Sequence, residues 1–223
     1  NASWALLNLL SGCILCTFFI YGIINAYNFI DNMDGISSGV TLISSFAFGL
    51  FSIKTNQNDI AIISFALTGS AFGFLFFNFP TAKIYLGDGG SLFFGSIISA
   101  IAVYGTWGNV SSYPLEDFSF ILVPLLLVGY PIYDVSYVFF SRFYNNVPPW
   151  KGDTNHTTHK LKKMGFSDSE VAIIIYVLTA SLSFLAFVVY DSSLIDSIIL
   201  FISCASFFLV LTLILNKIDF EDK

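Results

Sequence analysis

Charge is what this chain has least of. Only 11% of its 223 residues are Asp, Glu, Lys or Arg, against 56% hydrophobic and 18% aromatic, and the mean hydropathy is +0.78. Ordinary water-soluble domains carry about a quarter charged residues, so a water-soluble fold is excluded. Nine bases against fifteen acids leave a net charge of −6. Several of the acids, such as Asp219, Glu221 and Asp222, sit in the C-terminal tail. That total says little about partners beyond offering no basic surface for a nucleic acid.

Sulfur and imidazole are equally sparse. Cys13 and Cys16 form a C-x-x-C and Cys204 stands alone, all inside apolar runs with no histidine near them in sequence. They read as small hydrophobes rather than as a redox or zinc centre. No segment shows the basic start, short apolar middle and small-residue cleavage site of a signal peptide. The chain begins with Asn1, which reads as an internal fragment of a longer protein.

What is abundant is long apolar sequence. A hydrocarbon core of about 30 Å takes about 20 apolar helical residues per crossing. Seven runs approach that length: Trp4 to Ala26, Val40 to Ile53, Ile60 to Phe79, Leu92 to Trp107, Phe118 to Phe140, Val171 to Tyr190 and Leu194 to Leu215. Apolar residues surround each run rather than alternating, which selects helices over a barrel. The expected fold is all-α: a polytopic transmembrane helical bundle of about seven helices, forming one domain over residues 1–223. If the crossings alternate, one side receives Lys83, Arg142, Lys151, Lys160, Lys162, Lys163, Lys217 and Lys223, and the other only Lys54. The basic-rich side is expected to face the cytoplasm. It also collects the long loop 141–170, the expected catalytic loop.

Three polar islands fall on that side. In the first, Asn25, Asn28 and Asp31 step by three residues, with Asn32 and Asp34 beside them, and in a helix they would form one stripe able to offer several oxygens to a cation. A helix merely turning polar as it leaves the membrane, closed by Gly35 as a C-cap, explains one or two of these residues rather than five. In the second, Gly87, Gly89 and Gly90 flank Asp88 just before the fourth run. A tight connection between helices is one reading. The other is a backbone free to approach a phosphate at a helix N-terminus, with Asp88 holding a cation against it. The third holds both histidines of the chain, His156 and His159, with Asp153 upstream and Lys160 adjacent. It is either a solvated loop or a set of donors for a pyrophosphate; a zinc site lacks a third ligand. Ser167 and Glu170 have capping-box spacing for the next helix. Asp134, an acid in an apolar run, needs a partner, either Arg142 two turns later or the site itself.

Together the islands resemble the polyprenyl-phosphate N-acetylhexosamine-1-phosphate transferase family. Asn25-Ala-Tyr-Asn28-Phe-Ile-Asp31-Asn32-Met-Asp34-Gly35 is similar to the signature N-A-x-N-x-x-D-G-x-D-G, with Asn32 where glycine is common. Tyr85-Leu-Gly87-Asp88-Gly-Gly-Ser91-Leu-Phe-Phe-Gly95 is similar to aromatic-x-G-D-x-G-S-x-x-x-G. Asp153-x-x-His156-x-x-His159-Lys160-Leu161 resembles D-R-x-H-x-H-H-R-L, with Thr154, Thr158 and Lys160 replacing arginine, histidine and arginine. The resemblance covers nearly the whole chain and implies about four further helices, with an Asp-Asp pair, before its first one.

It also implies the chemistry: transfer of a sugar-1-phosphate, with N-acetylglucosamine favoured by the third motif, from a UDP-sugar to polyprenyl phosphate in an inner or plasma membrane. Asp88, helped by Asn28, becomes the ligand of magnesium, with manganese as an alternative. Asn78, Tyr85 and Asp34 hold the uridine, Tyr85 by stacking on the base. Asp31 lies near the phosphates or the attacking lipid oxygen, while His156, His159 and Lys160 steady the diphosphate. Asn25 and Asp153 complete the expected substrate-binding set. The partners implied are the two substrates and the bilayer, with a homodimer as a candidate assembly. Rival readings are a transporter, whose acids would lie near the midplane rather than at helix ends, a CDP-alcohol phosphotransferase, whose motif continues to an Ala-Arg absent from Ile36-Ser37-Ser38-Gly39, and a non-catalytic relative.

Overall fold

The structure, a computed structural model, describes residues 2–107, 119–144 and 156–221. Regular structure among them is helical: α1 (Ala2–Phe29), α2 (Ile36–Lys54), α3 (Asn58–Asn78), α4 (Gly87–Ala102) continued by a π-helical turn (Val103–Trp107), α5 (Ser119–Leu127), α6 (Gly129–Tyr144), α7 (Thr157–Lys163), α8 (Asp168–Tyr190) and α9 (Leu194–Glu221). Six of these are long and apolar enough to cross a membrane, and the bent pair α5–α6 makes a seventh candidate crossing.

That bent pair corrects the expectation of one straight helix over 118–140. α5 and α6 meet at 78° around Val128. Pro131 has no N–H for the carbonyl of Leu127, and its ring crowds that carbonyl, so an unbroken helix through Gly129-Tyr130-Pro131 is disfavoured. The chain continues through Val128 N–H to Pro124 O (3.2 Å) and Ile132 N–H to Val128 O (3.4 Å).

α2 is the centre of the bundle. Its most apolar stretch is 72% buried, against 6% for α9 and 17% for α1, and it packs on α3 and α8 while α1 packs on α4 and α5 on α8. α2 starts at Ile36, earlier than the apolar run at Val40, because the polar residues between are satisfied inside the protein. Ser37 Oγ donates to Tyr27 O, Ser38 Oγ to Asn78 Oδ1 and Thr41 Oγ1 to Ser37 O. α1 and α4 approach closely at Gly95, where an added Cβ would lie 2.8 Å from the Ile24 Cα.

The helices run up and down, so each connection sorts to one of two ends. At one end lie the α1–α2 turn, the α3–α4 loop and α7. At the other, Lys54 at the end of α2 pairs with Asp191 at the end of α8, and Gln57 Nε2 donates to Gly105 O (2.7 Å). α8 opens with the capping box expected from Ser167 and Glu170, whose side chains and backbone N–H groups bond reciprocally.

Candidate functional site

The first two islands meet where the end of α1 faces the first turn of α4. Asn28 Nδ2 donates to Asp88 Oδ1 (3.1 Å) and to Ser91 Oγ (3.0 Å), linking residues sixty positions apart. α1 stops at Phe29. Ile30 N–H still bonds Ala26 O, and Asp31 N–H tightens onto Asn28 O (3.2 Å). Asp31 therefore lies in the turn after the helix, which corrects the expectation of one continuous helical stripe through Asn25, Asn28 and Asp31. Gly35 likewise opens α2 instead of closing α1, with φ +78°. The glycines around Asp88 also differ from expectation: they form the first turn of α4 rather than a loop before it.

Asp31 lies close enough to Asp88 and Asp34 to feel their charge. Burial, then the charge of Asp88, then that of Asp34, push the Asp31 carboxyl up to about 7. Half-burying one acid among others is costly without a cation or protons to offset them. Asp34 Oδ2 accepts the Ala82 N–H (2.9 Å), so this acid also braces the α3–α4 loop. Asn78, at the end of α3, is buried and ties that loop to the α1–α2 turn. Its Oδ1 accepts from Gly35 N–H (3.1 Å) and Ser38 Oγ (2.9 Å), and its Nδ2 donates to Ile84 O (3.0 Å). Tyr85 stands 77% exposed in the same loop, its ring open to stacking. Asn25 bonds back to its own helix at Tyr21 O (2.7 Å).

The third island arrives on α7. His156 Nδ1 lies 2.7 Å from Asp134 Oδ2, and Asp134 Oδ1 accepts the Thr157 N–H (2.9 Å) and hydroxyl (2.6 Å). Thr158 Oγ1 donates to Asn32 Oδ1 (2.7 Å), binding α7 to the α1–α2 turn. His159 sits beside His156, ring centroids 6.5 Å apart. Burial, then the neighbouring His156 and Lys162, lower its pKa below the usual imidazole value. Lys160, expected to help steady the diphosphate, is fully buried. His156 also lines a cavity of about 150 Å³ with Phe29, Val135, Val138, Phe139 and Arg142. Asp153 lies outside the described residues, as does the stretch 145–155 of the expected catalytic loop.

Among the described residues, no three His, Cys, Asp or Glu side chains converge as a ready-made metal cage. Asn28 and Asp88 still suit a hard cation such as magnesium. That ion is commonly held by one or two carboxylates and completes its shell with water and substrate phosphate. The exposed Asp88, with Asp31 and Asp34 nearby, supplies oxygen donors and negative charge.

Sequence reasoning left Asp134 between Arg142 and the site itself, and the structure bonds it to His156 and Thr157. Ser91 and Thr157 were missed as bonding partners, although both lie inside motifs. Tyr176, whose hydroxyl donates to Gly35 O (2.7 Å) from 141 positions away, had no sequence signal at all.

Fold and site together define an all-α, polytopic integral membrane protein with one acid-, amide- and imidazole-lined site at a shared end of its helices. Residues 2–106 match the glycosyl transferase family 4. A probable undecaprenyl-phosphate N-acetylglucosaminyl 1-phosphate transferase of Bacillus subtilis is 31% identical over 180 residues, which is 81% of this chain and 49% of that protein. A decaprenyl-phosphate N-acetylglucosaminephosphotransferase of Mycobacterium tuberculosis is 31% identical over 188 residues, 78% of this chain and 46% of that protein. A phospho-N-acetylmuramoyl-pentapeptide-transferase of Listeria monocytogenes is 43% identical over 90 residues, 40% of this chain and 28% of that protein. The chain belongs to glycosyl transferase family 4 and spans about half the length of the curated relatives it matches.

Proposed function

We propose that the protein transfers N-acetylhexosamine-1-phosphate, with N-acetylglucosamine as the sugar, from a UDP-sugar to polyprenyl phosphate. UMP is released and a lipid-linked sugar diphosphate begins a cell-envelope glycan. The reading places the reaction at the cytoplasmic face of the inner or plasma membrane. The observation that carries it is the meeting of three islands far apart in sequence: Asn28 on Asp88, Thr158 on Asn32, and His156 on Asp134.

Phosphoryl transfer asks a protein for positioning and charge neutralisation more than for covalent chemistry. An oxygen of the lipid phosphate attacks the phosphorus bonded to the sugar, and the bond from that phosphorus to the UMP oxygen breaks. Tyr85 offers an exposed ring for the uracil, with Asn78 and Asp34 shaping the loop beneath it. His156 and His159 face the diphosphate from the start of α7. Asp31, with its raised pKa, orients the acceptor phosphate. Asn28 and Asp88 would hold magnesium, or manganese, which when bound supplies positive charge against the pyrophosphate.

The test is a membrane assay of the whole protein with polyprenyl phosphate, magnesium and radiolabelled UDP-N-acetylglucosamine, beside Asp88→Ala. Label entering the lipid phase that needs Asp88 and is reversed by UMP supports the reading. No transfer from this or related UDP-sugars by demonstrably folded protein sinks it and favours a non-catalytic relative.

A further inference from the structure

Asp134 is a fully buried carboxylate in a membrane helix, and nothing in the transfer chemistry above requires it to touch a substrate. Such a group is tolerated only if its oxygens are well bonded. Three contacts satisfy it, and all come from the start of α7: His156 Nδ1, Thr157 N–H and Thr157 Oγ1. The Thr157 hydroxyl has one hydrogen, and the 2.6 Å bond to Asp134 commits it. The 3.1 Å contact between Tyr130 and Thr157 must therefore run from the buried Tyr130 hydroxyl to Thr157 Oγ1. Tyr130 and Asp134 are four residues apart, on one face of α6, so this face presents a donor and an acceptor side by side to α7.

The same bond decides the chemistry of His156. A carboxylate only accepts, so Nδ1 must carry a hydrogen, and Nε2 is left as the nitrogen available to a ligand. We infer that Asp134 is a positioning residue for the transfer: by accepting the Nδ1 hydrogen it fixes the ring orientation and tautomer of His156 so that Nε2 acts on the substrate phosphates. This deepens the proposed function and rests on it.

A purely structural role, in which Asp134 only anchors α7 through Thr157, makes the opposite predictions. In Asp134→Asn the amide oxygen keeps both Thr157 bonds, while the NH2 group faces Nδ1 and forces the hydrogen onto Nε2. Partners of this kind typically matter by roughly 10- to 100-fold in activity. The experiment uses the whole protein in membranes and compares Asp134→Asn, Asp134→Ala, Thr157→Val and the double variant His156→Gln/Asp134→Asn. The expected result is a kcat roughly 10- to 100-fold lower for Asp134→Asn with little change in KM and an unaltered thermal midpoint. Thr157→Val strands the Tyr130 hydroxyl and removes one Asp134 bond, so it should lower the thermal midpoint yet keep more activity than Asp134→Asn, and Asp134→Asn should add nothing once His156 is Gln. Imidazole 15N spectra, assigned with His156→Gln, should show hydrogen on Nδ1 of His156 in the wild type and on Nε2 in Asp134→Asn.

Wild-type activity in Asp134→Asn, or Thr157→Val as damaging as Asp134→Ala, overturns the inference while the transferase reading stands. A wild-type protein with no transfer at all removes the transferase reading instead, and the 15N spectra then decide the Asp134–His156 contact on their own.

Discussion

The two ends of the bundle use polar residues differently. At the Lys54 end, among the described residues, an exposed ion pair with Asp191 and the Gln57–Gly105 bond tie helix ends together. At the other end, Asn28, Asn32, Asp34, Asn78, Asp134 and Tyr176 bond across elements far apart in sequence, and exposed or half-buried acids remain between them. One end is polar because chains must turn in water. The other is polar at a cost, since acids are crowded together, and such crowding marks sites that take up charged ligands.

The sharpest way to break this contrast is Asp88→Asn. Its acid lies on the surface of the site, so transfer should fall by roughly 10²- to 10³-fold, the scale of losing one charge-stabilising group, while the thermal midpoint barely moves. A large loss of stability would instead make Asp88 part of the scaffold.

Gly95→Val tests the packing under the same end. The added Cβ meets the α1 backbone at Ile24, so about 1–3 kcal/mol of overpacking is expected. Thermal unfolding in detergent reads it, with activity lost as α1 shifts from α4.

Asn32 and Thr158 offer a finer probe, because both depart from the family pattern and they touch each other. Thr158→Val should cost about 1 kcal/mol. In an Asn32→Ala background it should cost much less, a coupling that a double-mutant cycle on the thermal midpoint would measure.

A pH series separates the acids from the scaffold. In the folded protein the Asp31 carboxyl is raised to about 7 from its ordinary value of 3.8. A group raised in this way binds its proton more tightly when folded, so its stabilisation is full below about pH 4 and is lost as pH rises towards 7. A divalent cation competes with that proton, so magnesium should raise the thermal midpoint more at about pH 8 than at about pH 5, and Asp31→Asn should flatten the difference.

The smallest effect belongs to the opposite end. Lys54→Met removes an ion pair whose partners are both substantially exposed, and should change stability by no more than about 1 kcal/mol with no effect on transfer.

Much of this was legible beforehand because it depends on local sequence. Hydrophobic runs of membrane length need no partner to be recognised, and six recur as helices long and apolar enough to cross, with the fifth run as a bent pair that makes a seventh candidate. Asn28 and Asp88 were readable as a pair through their motifs, and they bond. The bend was signalled only by Gly129 and Pro131, whose consequence depends on what α6 packs against. The end of α1 at Phe29 escaped periodicity because the turn is held by Gly35 and by Asn78, which comes from another helix.

By itself the sequence determined the class of fold and picked out the polar islands that the structure brings together, since these follow from composition, spacing and the cost of charge in an apolar helix. Only tertiary structure decided which partner Asp134 takes, that Lys160 is enclosed, and that Asn32 meets Thr158. Those outcomes turn on side chains between 22 and 126 positions apart being brought within bonding distance, and the packing of whole helices sets that distance rather than any local pattern.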